Sequence, residues 1–243
     1  MKVPKSHPRY KSLRTRDFIY RGVEKGITSI HGLIAHGRGE ALDYLIGERT
    51  NEFAKKSIKA AAALLLTSKR PVISVNGNTA ALVPRELVGL SNSINAPLEV
   101  NIFHPSKQRE LKIKNQLIIN GARYVSLPSK KSKIKFLESN RRYVNPNGIL
   151  KADAVFVPLE DGDRAEALIK NGKKVITVDL NPLSRTAQKA TVTIVDNIIR
   201  AMPLLIKEIN KIRKFDKKKL KSIINNYDNK NNLNAAIKKI RSS

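Results

Sequence analysis

From residue 71 onwards, short apolar runs alternate with helix-forming stretches, and this alternation constrains the fold more than any other feature of the chain. The runs predicted as strands are Val72 to Val75, Leu98 to Phe103, Arg123 to Leu127, Ala154 to Val157, Lys174 to Val178 and Val192 to Val195. Consecutive parallel strands need a crossover, which the helical stretches between them supply. We therefore expect an α/β, Rossmann-like fold, with a mainly parallel sheet and helices on both faces.

Helices are also predicted before the alternating region. Arg16 to Gly26 reads as a short amphipathic helix, and Gly37 to Gly39 as a turn that leads into a helix at Glu40 to Ile46. Asn51 is placed to cap a long helix that runs to about Thr67.

After the alternating region, apolar stripes at helical spacing fill about residues 197–241. We expect these C-terminal helices to pack on the sheet domain or on a dimer partner. Pro128 to Gly148 holds many charges and few apolar residues, which is typical of a loop. The chain has no linker-like segment, so residues 1–243 are expected to form a single domain.

The composition excludes several classes of protein. The chain contains no Cys, which excludes disulfide scaffolds, thiolate catalysis and iron–sulfur clusters. Its longest apolar run, Ala60 to Leu66, is far shorter than the roughly 20 residues that a helix needs to cross a bilayer. We expect a soluble, cytoplasmic protein without a membrane partner.

The net charge of +27, from 47 Lys+Arg and 20 Asp+Glu, has two interpretations. A strongly basic chain is typical of nucleic-acid binding, because Lys and Arg neutralise phosphates. The basic residues are dispersed, however, and the chain has no Trp and only 5% aromatic residues on which bases could stack. A solvated basic surface is the simpler interpretation, which leaves nucleic acid as a secondary partner.

The common phosphate-loop, dinucleotide, serine-hydrolase and zinc-protease motifs are absent from the sequence. Polar segments nevertheless follow several predicted strands, at the edge where open α/β sheets bind ligands. In the first segment, Gly37, Arg38 and Gly39 could hold an anion at the start of a helix, or could form a simple turn. In the second segment, Ser74 to Asn78, two amides could orient a carboxylate or hydroxyl, or could form a turn.

Two more segments carry acidic residues. Glu160, Asp161 and Asp163 could hold Mg²⁺, although Asp163 could equally cap a helix. In the last segment, two consecutive strands end in Asp179 and Asp196, and each Asp is soon followed by Asn. Because such carboxylates can accept hydrogen bonds from ribose hydroxyls, this segment predicts a nucleotide site.

Taken together, these segments resemble the archaeal 4-phosphopantoate:beta-alanine ligases, also called phosphopantothenate synthetases. The resemblance is carried by Lys5 to Tyr10, Ala35 to Arg49, Pro71 to Asn78, Lys151 to Leu168, Val178 to Ala187 and Ile194 to Asn197. In order and spacing these strings cover nearly the whole chain up to about Arg200.

The resemblance implies a homodimeric, Rossmann-like ligase of coenzyme A biosynthesis that uses ATP and Mg²⁺. It would join 4-phosphopantoate to beta-alanine and release AMP and pyrophosphate. The residues implied for ATP binding are Arg16, Arg38, Asp179, Leu180, Asn181, Arg185, Thr186, Asn197 and Ile198. Placement at strand ends assigns 4-phosphopantoate to Ser74, Asn76, Asn78 and Arg164, and the best candidates for a catalytic role are Arg38 and His36.

In such a ligase, the carboxylate of phosphopantoate attacks the α-phosphate of ATP, and the amine of beta-alanine opens the acyl-adenylate that results. Neither a general base nor the metal ligands can be identified from the sequence. Two alternatives stay open: a nucleic-acid-binding protein on the same scaffold, and another nucleotide-using transferase.

Overall fold

The computed structural model describes residues 3–242. The helices are α1 (Tyr10–Glu24), α2 (Ile30–Leu45), α3 (Glu52–Thr67), α4 (Gly77–Leu82), α5 (Pro84–Ile94), α6 (Lys107–Ile119), α7 (Gly162–Lys170), α8 (Arg185–Lys189), α9 (Ile198–Ile212), α10 (Lys217–Asn225) and α11 (Asn229–Arg241). The strands are β1 (Pro71–Val75), β2 (Leu98–Val100), β3 (Val125–Ser126), β4 (Ser129–Lys133), β5 (Tyr143–Val144), β6 (Ala154–Phe156), β7 (Lys174–Val178) and β8 (Val192–Ile194).

The main sheet has the strand order β3-β2-β1-β6-β7-β8, and all of its neighbouring strands run parallel. Ile73 in β1 is in register with Leu98 on one side and with Phe156 on the other. From β1 the chain builds outwards to β3 and then returns to the opposite side of β1. The order therefore reverses between β1 and β6, and this is the point at which parallel sheets open a crevice for ligands.

Successive strand residues point to opposite faces of the sheet, and both faces are buried. Ile73, Phe156 and Ile176 belong to the larger apolar core, which includes α3, α5 and α9. Val155 and Val175 belong to a second core that includes α7. The expected α/β, Rossmann-like fold with helices on both faces of a parallel sheet is therefore confirmed.

The C-terminal helices α9, α10 and α11 all pack against α3. Leu205, Ile209, Leu220 and Leu233 are buried there. Asn232 adds a polar anchor, because its amide donates to the carbonyl oxygen of Phe53 at 3.0 Å. Among residues 3–242, no helix combines the length and apolar character that crossing a membrane requires.

The loop predicted for residues 128–148 is wrong. This segment forms the antiparallel pair β4–β5, and Ile134, Leu137 and Val144 are buried in the second core. The many lysines lower the average hydrophobicity of the segment, so its composition predicted a loop despite these apolar residues. These residues share an apolar cluster with Val72, Val155 and Val175 of the sheet, so the segment covers part of one sheet face.

The turn predicted at Gly37 to Gly39 is also wrong, because α2 runs through both glycines without a break. Each glycine inside a helix costs about 1 kcal/mol relative to alanine. A helix of 16 residues that packs on α1 and α4 offsets this local cost. The glycines therefore do not expose a helix start to an anion, since their backbone lies inside the helix.

Candidate active site

The middle of α2 lies beside the carboxyl ends of β7 and β8. A Cβ atom added to Gly39 would lie 3.4 Å from Cδ1 of Leu180, which follows β7. Four residues further along α2, Asp43 accepts a hydrogen bond of 2.9 Å from the amide of Asn197, which follows β8. The structure therefore brings together the first and the last of the polar segments predicted from the sequence.

Asp179 stands at the carboxyl end of β7 with its side chain largely enclosed. Its Oδ1 accepts from the backbone N–H of Asn181 at 2.9 Å, and its Oδ2 accepts from the Ser184 hydroxyl. Burial raises the pKa of Asp179, while these two hydrogen bonds and the positive charge of Arg38 act against the rise. The two hydrogen bonds thus fix the carboxylate at the carboxyl edge of the sheet, where it can accept hydrogen bonds from a ribose.

Arg38 is exposed at this edge, and the structure gives its guanidinium no ion pair or hydrogen bond within residues 3–242. It lies near enough to Asp179 to affect the pKa of that carboxyl group. A guanidinium without an acidic partner can bind a phosphate through several N–H groups at once. Arg38 therefore has the chemistry that its predicted role in ATP binding requires.

The edge also contains an ion-pair network that the sequence analysis missed. Arg200 in α9 pairs with Asp196 after β8 and with Asp43 in α2. Asp196 also accepts a hydrogen bond of 2.6 Å from the hydroxyl of Thr50. The one local signal was the spacing of Asp196 and Arg200, four residues apart at the start of a helix.

Asn197 and Ile198 mark the start of α9. The Asn197 side chain donates to Asp43 and accepts from the backbone N–H of Ile199 at 3.2 Å, and Ile198 is buried. The Asn197 side chain therefore caps α9 with its oxygen and ties the start of α9 to α2 with its nitrogen.

Arg16 lies in a groove between α1 and α2 of about 420 Å³. Its Nε and Nη2 atoms donate to the two carboxylate oxygens of Glu40 at 2.7 and 2.8 Å. His36 and Tyr44 line the same groove, and burial lowers the pKa of His36. Glu40 and Asp43 both act on His36 through their charges and oppose the lowering of its pKa, and Glu40 is a further residue that the sequence analysis missed.

Arg185 and Thr186 begin the short helix α8 close to the segment after β6. Nε of Arg185 lies 2.9 Å from the carboxylate of Glu166, and Arg185 with Lys170 lowers the pKa of Glu166 to about 2. The hydroxyl of Thr186 is buried and donates to the carbonyl oxygen of Glu160 at 2.7 Å. The Arg185 side chain is exposed to solvent, whereas the Thr186 hydroxyl is buried and already donates its hydrogen bond within the protein.

The carboxylates after β6 do not fit a magnesium site. Glu160 forms ion pairs with Arg141 and Arg164, and Asp161 lies 2.8 Å from Arg141. Asp161, not Asp163, stands at the N-cap position of α7. Within residues 3–242, no three His, Asp or Glu side chains are grouped in a way that could hold a metal ion.

The side chains predicted for 4-phosphopantoate also lie at the carboxyl edge, but most of their polar atoms are engaged. Asn76 caps α4 and donates to the carbonyl oxygens of Pro158 and Leu159, both at 3.0 Å. It therefore bridges β1 and β6 at the point where the strand order reverses. Asn78 donates to the carbonyl oxygen of Gly32 at 2.9 Å.

Ser74 and Arg164 form the buried part of this group. The Ser74 hydroxyl accepts from Nη1 of Arg164 at 3.1 Å, and the same nitrogen pairs with Glu160. Nε and Nη2 of Arg164 are buried and have no hydrogen-bond partner within the described chain. Arg164 thus lies buried under the crevice and links Ser74 to Glu160. Direct contact of Ser74, Asn76, Asn78 and Arg164 with the substrate stays a prediction.

Comparison with known proteins identifies the family of this chain. Residues 53–243 match the family model described as phosphopantothenate/pantothenate synthetase. The chain is 51% identical to the 4-phosphopantoate–beta-alanine ligase of Thermococcus onnurineus, over 99% of this chain and 93% of the relative.

Other relatives of the same name are equally similar. The protein from Thermococcus kodakarensis is 50% identical over 98% of this chain and 92% of its own length. The protein from Methanosarcina mazei is 49% identical over 98% of this chain and 94% of its own length. Because the similarity spans both halves of the sheet and the helices that close its carboxyl edge, the chain belongs to the phosphopantothenate/pantothenate synthetase family, a family of ligases.

Proposed function

We propose that this protein is an ATP-dependent ligase that joins 4-phosphopantoate to beta-alanine and forms 4'-phosphopantothenate, AMP and pyrophosphate in coenzyme A biosynthesis. The observation that carries the proposal is the 51% identity to a 4-phosphopantoate–beta-alanine ligase over 99% of the chain. The arrangement at the carboxyl edge of the sheet supports it, because Arg38 and Asp179 lie there with the chemistry that a nucleotide needs.

In this proposal ATP lies over the ends of β7 and β8. Asp179 accepts hydrogen bonds from the ribose, and Arg38 binds phosphate oxygens. Arg185 exchanges part of its contact with Glu166 for the nucleotide. Leu180, Asn181, Asn197 and Ile198 form the wall of the site, and Thr186 positions the segment after β6 through its bond to Glu160.

The reaction then has two steps. A carboxylate oxygen of 4-phosphopantoate attacks the α-phosphorus of ATP, the bond to the β-phosphate breaks, and pyrophosphate leaves. The neutral amine of beta-alanine next attacks the acyl carbon, the acyl–oxygen bond breaks, and AMP leaves. Arg38 offsets the negative charge that grows on the phosphates, and most of the rate enhancement comes from holding the reactants together.

ATP enters this reaction with Mg²⁺ as the counter-ion of its phosphates. We assign no carboxylate of the chain to that ion, because Glu160 and Asp161 are paired with arginines. The proton that the amine loses is taken up by a base to which no residue is assigned.

We further propose that residues 1–243 act as a single domain, in the cytoplasm, and as a homodimer. Exposed apolar side chains on α2 support the dimer: Ile30 and Ile34 are 65% and 61% exposed. Burial of such residues in a second copy removes apolar surface from water. Sedimentation equilibrium of the wild type and of Ile34→Lys tests this, with a dimer expected for the first and weaker association for the second.

The function is tested by incubating the purified protein with Mg-ATP, 4-phosphopantoate and beta-alanine, and by measuring AMP. AMP is expected only when all three substrates are present, and pantoate is not expected to replace 4-phosphopantoate. ADP in place of AMP would indicate a phosphoryl transferase. A folded protein that releases neither nucleotide would contradict the proposal and would make its binding to RNA the next measurement.

A further inference from the structure

Two of the four histidines of the chain meet at the carboxyl end of β2. His31, in the first turn of α2, and His104, in the segment after β2, have ring centroids 5.2 Å apart and planes tilted by 44°. Phe103 packs edge-on against His104 at 4.8 Å. Both histidines are exposed, and their ring nitrogens have no hydrogen-bond partner in residues 3–242.

Arg109 adds a positive charge beside this pair. Its Nη1 donates to the carbonyl oxygen of His104 at 2.9 Å, which holds the guanidinium against the same segment. Its Nε is buried without a hydrogen-bond partner in the described chain, and burial lowers the pKa of Arg109. Glu110, the next residue, forms no ion pair with it in the part of the chain that the structure describes.

Within residues 3–242 Arg109 has no acidic partner, in contrast to three other enclosed arginines. Arg141 and Arg164 are paired with Glu160, and Arg200 is paired with Asp43 and Asp196. Arg109 is bound to the backbone of His104, and the two imidazoles have no hydrogen-bond partner in residues 3–242. An anion with several acceptor oxygens would gain hydrogen bonds from such donors and would offset the desolvated charge of the guanidinium.

The position of this cluster along the carboxyl edge of the sheet fits the phosphate end of 4-phosphopantoate. β2 lies three strands from β7 in the sheet order, which corresponds to about 14 Å at a strand spacing of about 4.8 Å. Asn78 ties α4 to the turn of α2 that carries His31, through its bond to Gly32. In the proposed reaction the carboxylate of 4-phosphopantoate meets ATP over β7 and β8, and a phosphate bound at this cluster would lie further along the edge, on the side of β2.

We infer that His31, His104 and Arg109 form the subsite for the phosphate group of 4-phosphopantoate. This inference rests on the proposed function and deepens it. The subsite explains selection of the phosphorylated substrate, because pantoate would leave these donors unpaired, and a site built for a polar group rejects the analogue that lacks it.

The test is steady-state kinetics of His31→Asn, His104→Asn and Arg109→Gln. Each variant is expected to raise KM for 4-phosphopantoate at least tenfold and to change KM for ATP less than twofold. The preference for 4-phosphopantoate over pantoate, as a ratio of kcat/KM, falls by the same factor. Arg109→Lys, which keeps the charge, recovers part of the loss, and melting curves of all variants report their folding.

Arg123→Gln serves as the matched control. It also removes one positive charge, from an exposed residue just before β3, the strand next to β2. It is expected to leave both KM values unchanged. An unchanged KM for 4-phosphopantoate in the three folded variants would overturn the inference, and so would an equal rise in KM for ATP, which would assign the cluster to the nucleotide.

A binding measurement separates this inference from the function itself. Calorimetric titration of 4-phosphopantoate into the protein without ATP is expected to show binding that weakens at least tenfold in Arg109→Gln. Should the wild type release no AMP, the proposed ligase activity fails, and the titration still decides the subsite. Equal affinity of wild type and variants would overturn the subsite while leaving the ligase activity intact.

Discussion

The side chains of Asp43 and Asn197, 154 residues apart in the sequence, are joined by a hydrogen bond of 2.9 Å between Oδ2 and Nδ2. Arg200 donates to the same carboxylate oxygen from Nη1 at 3.0 Å. Through these bonds, α2 is fastened to the start of α9 beside the proposed nucleotide site. A residue of α2 that touches no substrate thereby controls where Arg38, on the same helix, is held.

Asp43→Ala should therefore reduce both stability and ATP affinity. It leaves Arg200 with one acidic partner instead of two and leaves the Asn197 amide without its acceptor, which should cost about 2 kcal/mol of unfolding free energy. Urea unfolding measures the first effect, and KM for ATP measures the second. Asp17→Ala, which breaks the surface pair with Arg21 on α1, is the control and should cost under about 0.5 kcal/mol. Equal losses in both variants would contradict the structural role of Asp43.

Arg38→Ala should lower turnover at least tenfold without loss of folding. Arg38 is exposed, so its truncation removes no buried contact, and its effect should come from the lost stabilisation of phosphate charge. AMP release, with circular dichroism on the same samples, checks this. Turnover near the wild-type rate would remove Arg38 from the site.

Asp179→Ala should weaken ATP binding more than 4-phosphopantoate binding. The carboxylate lies at the end of β7, on the side of the sheet proposed for the nucleotide, and Ser184 loses its partner with it. Calorimetric titration of each substrate separates the two affinities. An equal loss for both substrates would point to local unfolding after β7 and against a nucleotide role.

Two glycine substitutions test the continuity of α2. A Cβ at Gly37 meets open space, so Gly37→Ala should stabilise the protein by about 1 kcal/mol if the helix is unbroken there. A Cβ at Gly32 would clash with Oδ1 of Asn78, so Gly32→Ala should destabilise the protein. Thermal unfolding of the pair gives shifts of opposite sign, whereas a turn at Gly37 would give a loss in both.

The stability of the protein should contain a contribution from Glu99 that falls as the pH rises. Burial raises the pKa of Glu99 from 4.5 to about 7, although the backbone N–H groups of Asn145 and Ile149 and the charges of Arg164 and Lys173 oppose the rise. The native state therefore binds more protons than the unfolded state between these two values. The stability that this provides is present below about pH 4.5 and is lost as the pH approaches 7.

Glu99→Gln removes this titration. The difference in unfolding free energy between wild type and variant should change by on the order of 3 kcal/mol from pH 4.5 to 7. Urea unfolding at several pH values measures it. A difference that does not vary with pH would show that Glu99 titrates near its ordinary value.

The elements that periodicity marks were predictable. Local apolar spacing predicted the strands β1, β6, β7 and β8 and the helical C-terminal region, and the structure contains them. The predicted strand at Leu98 to Phe103 is shorter in the structure, where β2 ends at Val100. A strand ends where its hydrogen bonds to the neighbouring strand end, and the local sequence carries no information about those bonds.

The order of polar residues after buried strands was sufficient, by itself, to place these side chains at the carboxyl edge, because that edge is a property of parallel sheets, and the nucleotide proposed there stays a prediction. Only the tertiary structure decided which of these side chains retain unused hydrogen-bonding groups. Asn76, Asn78 and Ser74 bond to partners far away in the chain, whereas Arg38 has no hydrogen-bond partner within residues 3–242. Likewise, packing of α2 against α1 and α4 outweighed two local glycines. Periodicity is local and can be read along the chain, but hydrogen-bond partners and packing energies arise between distant segments.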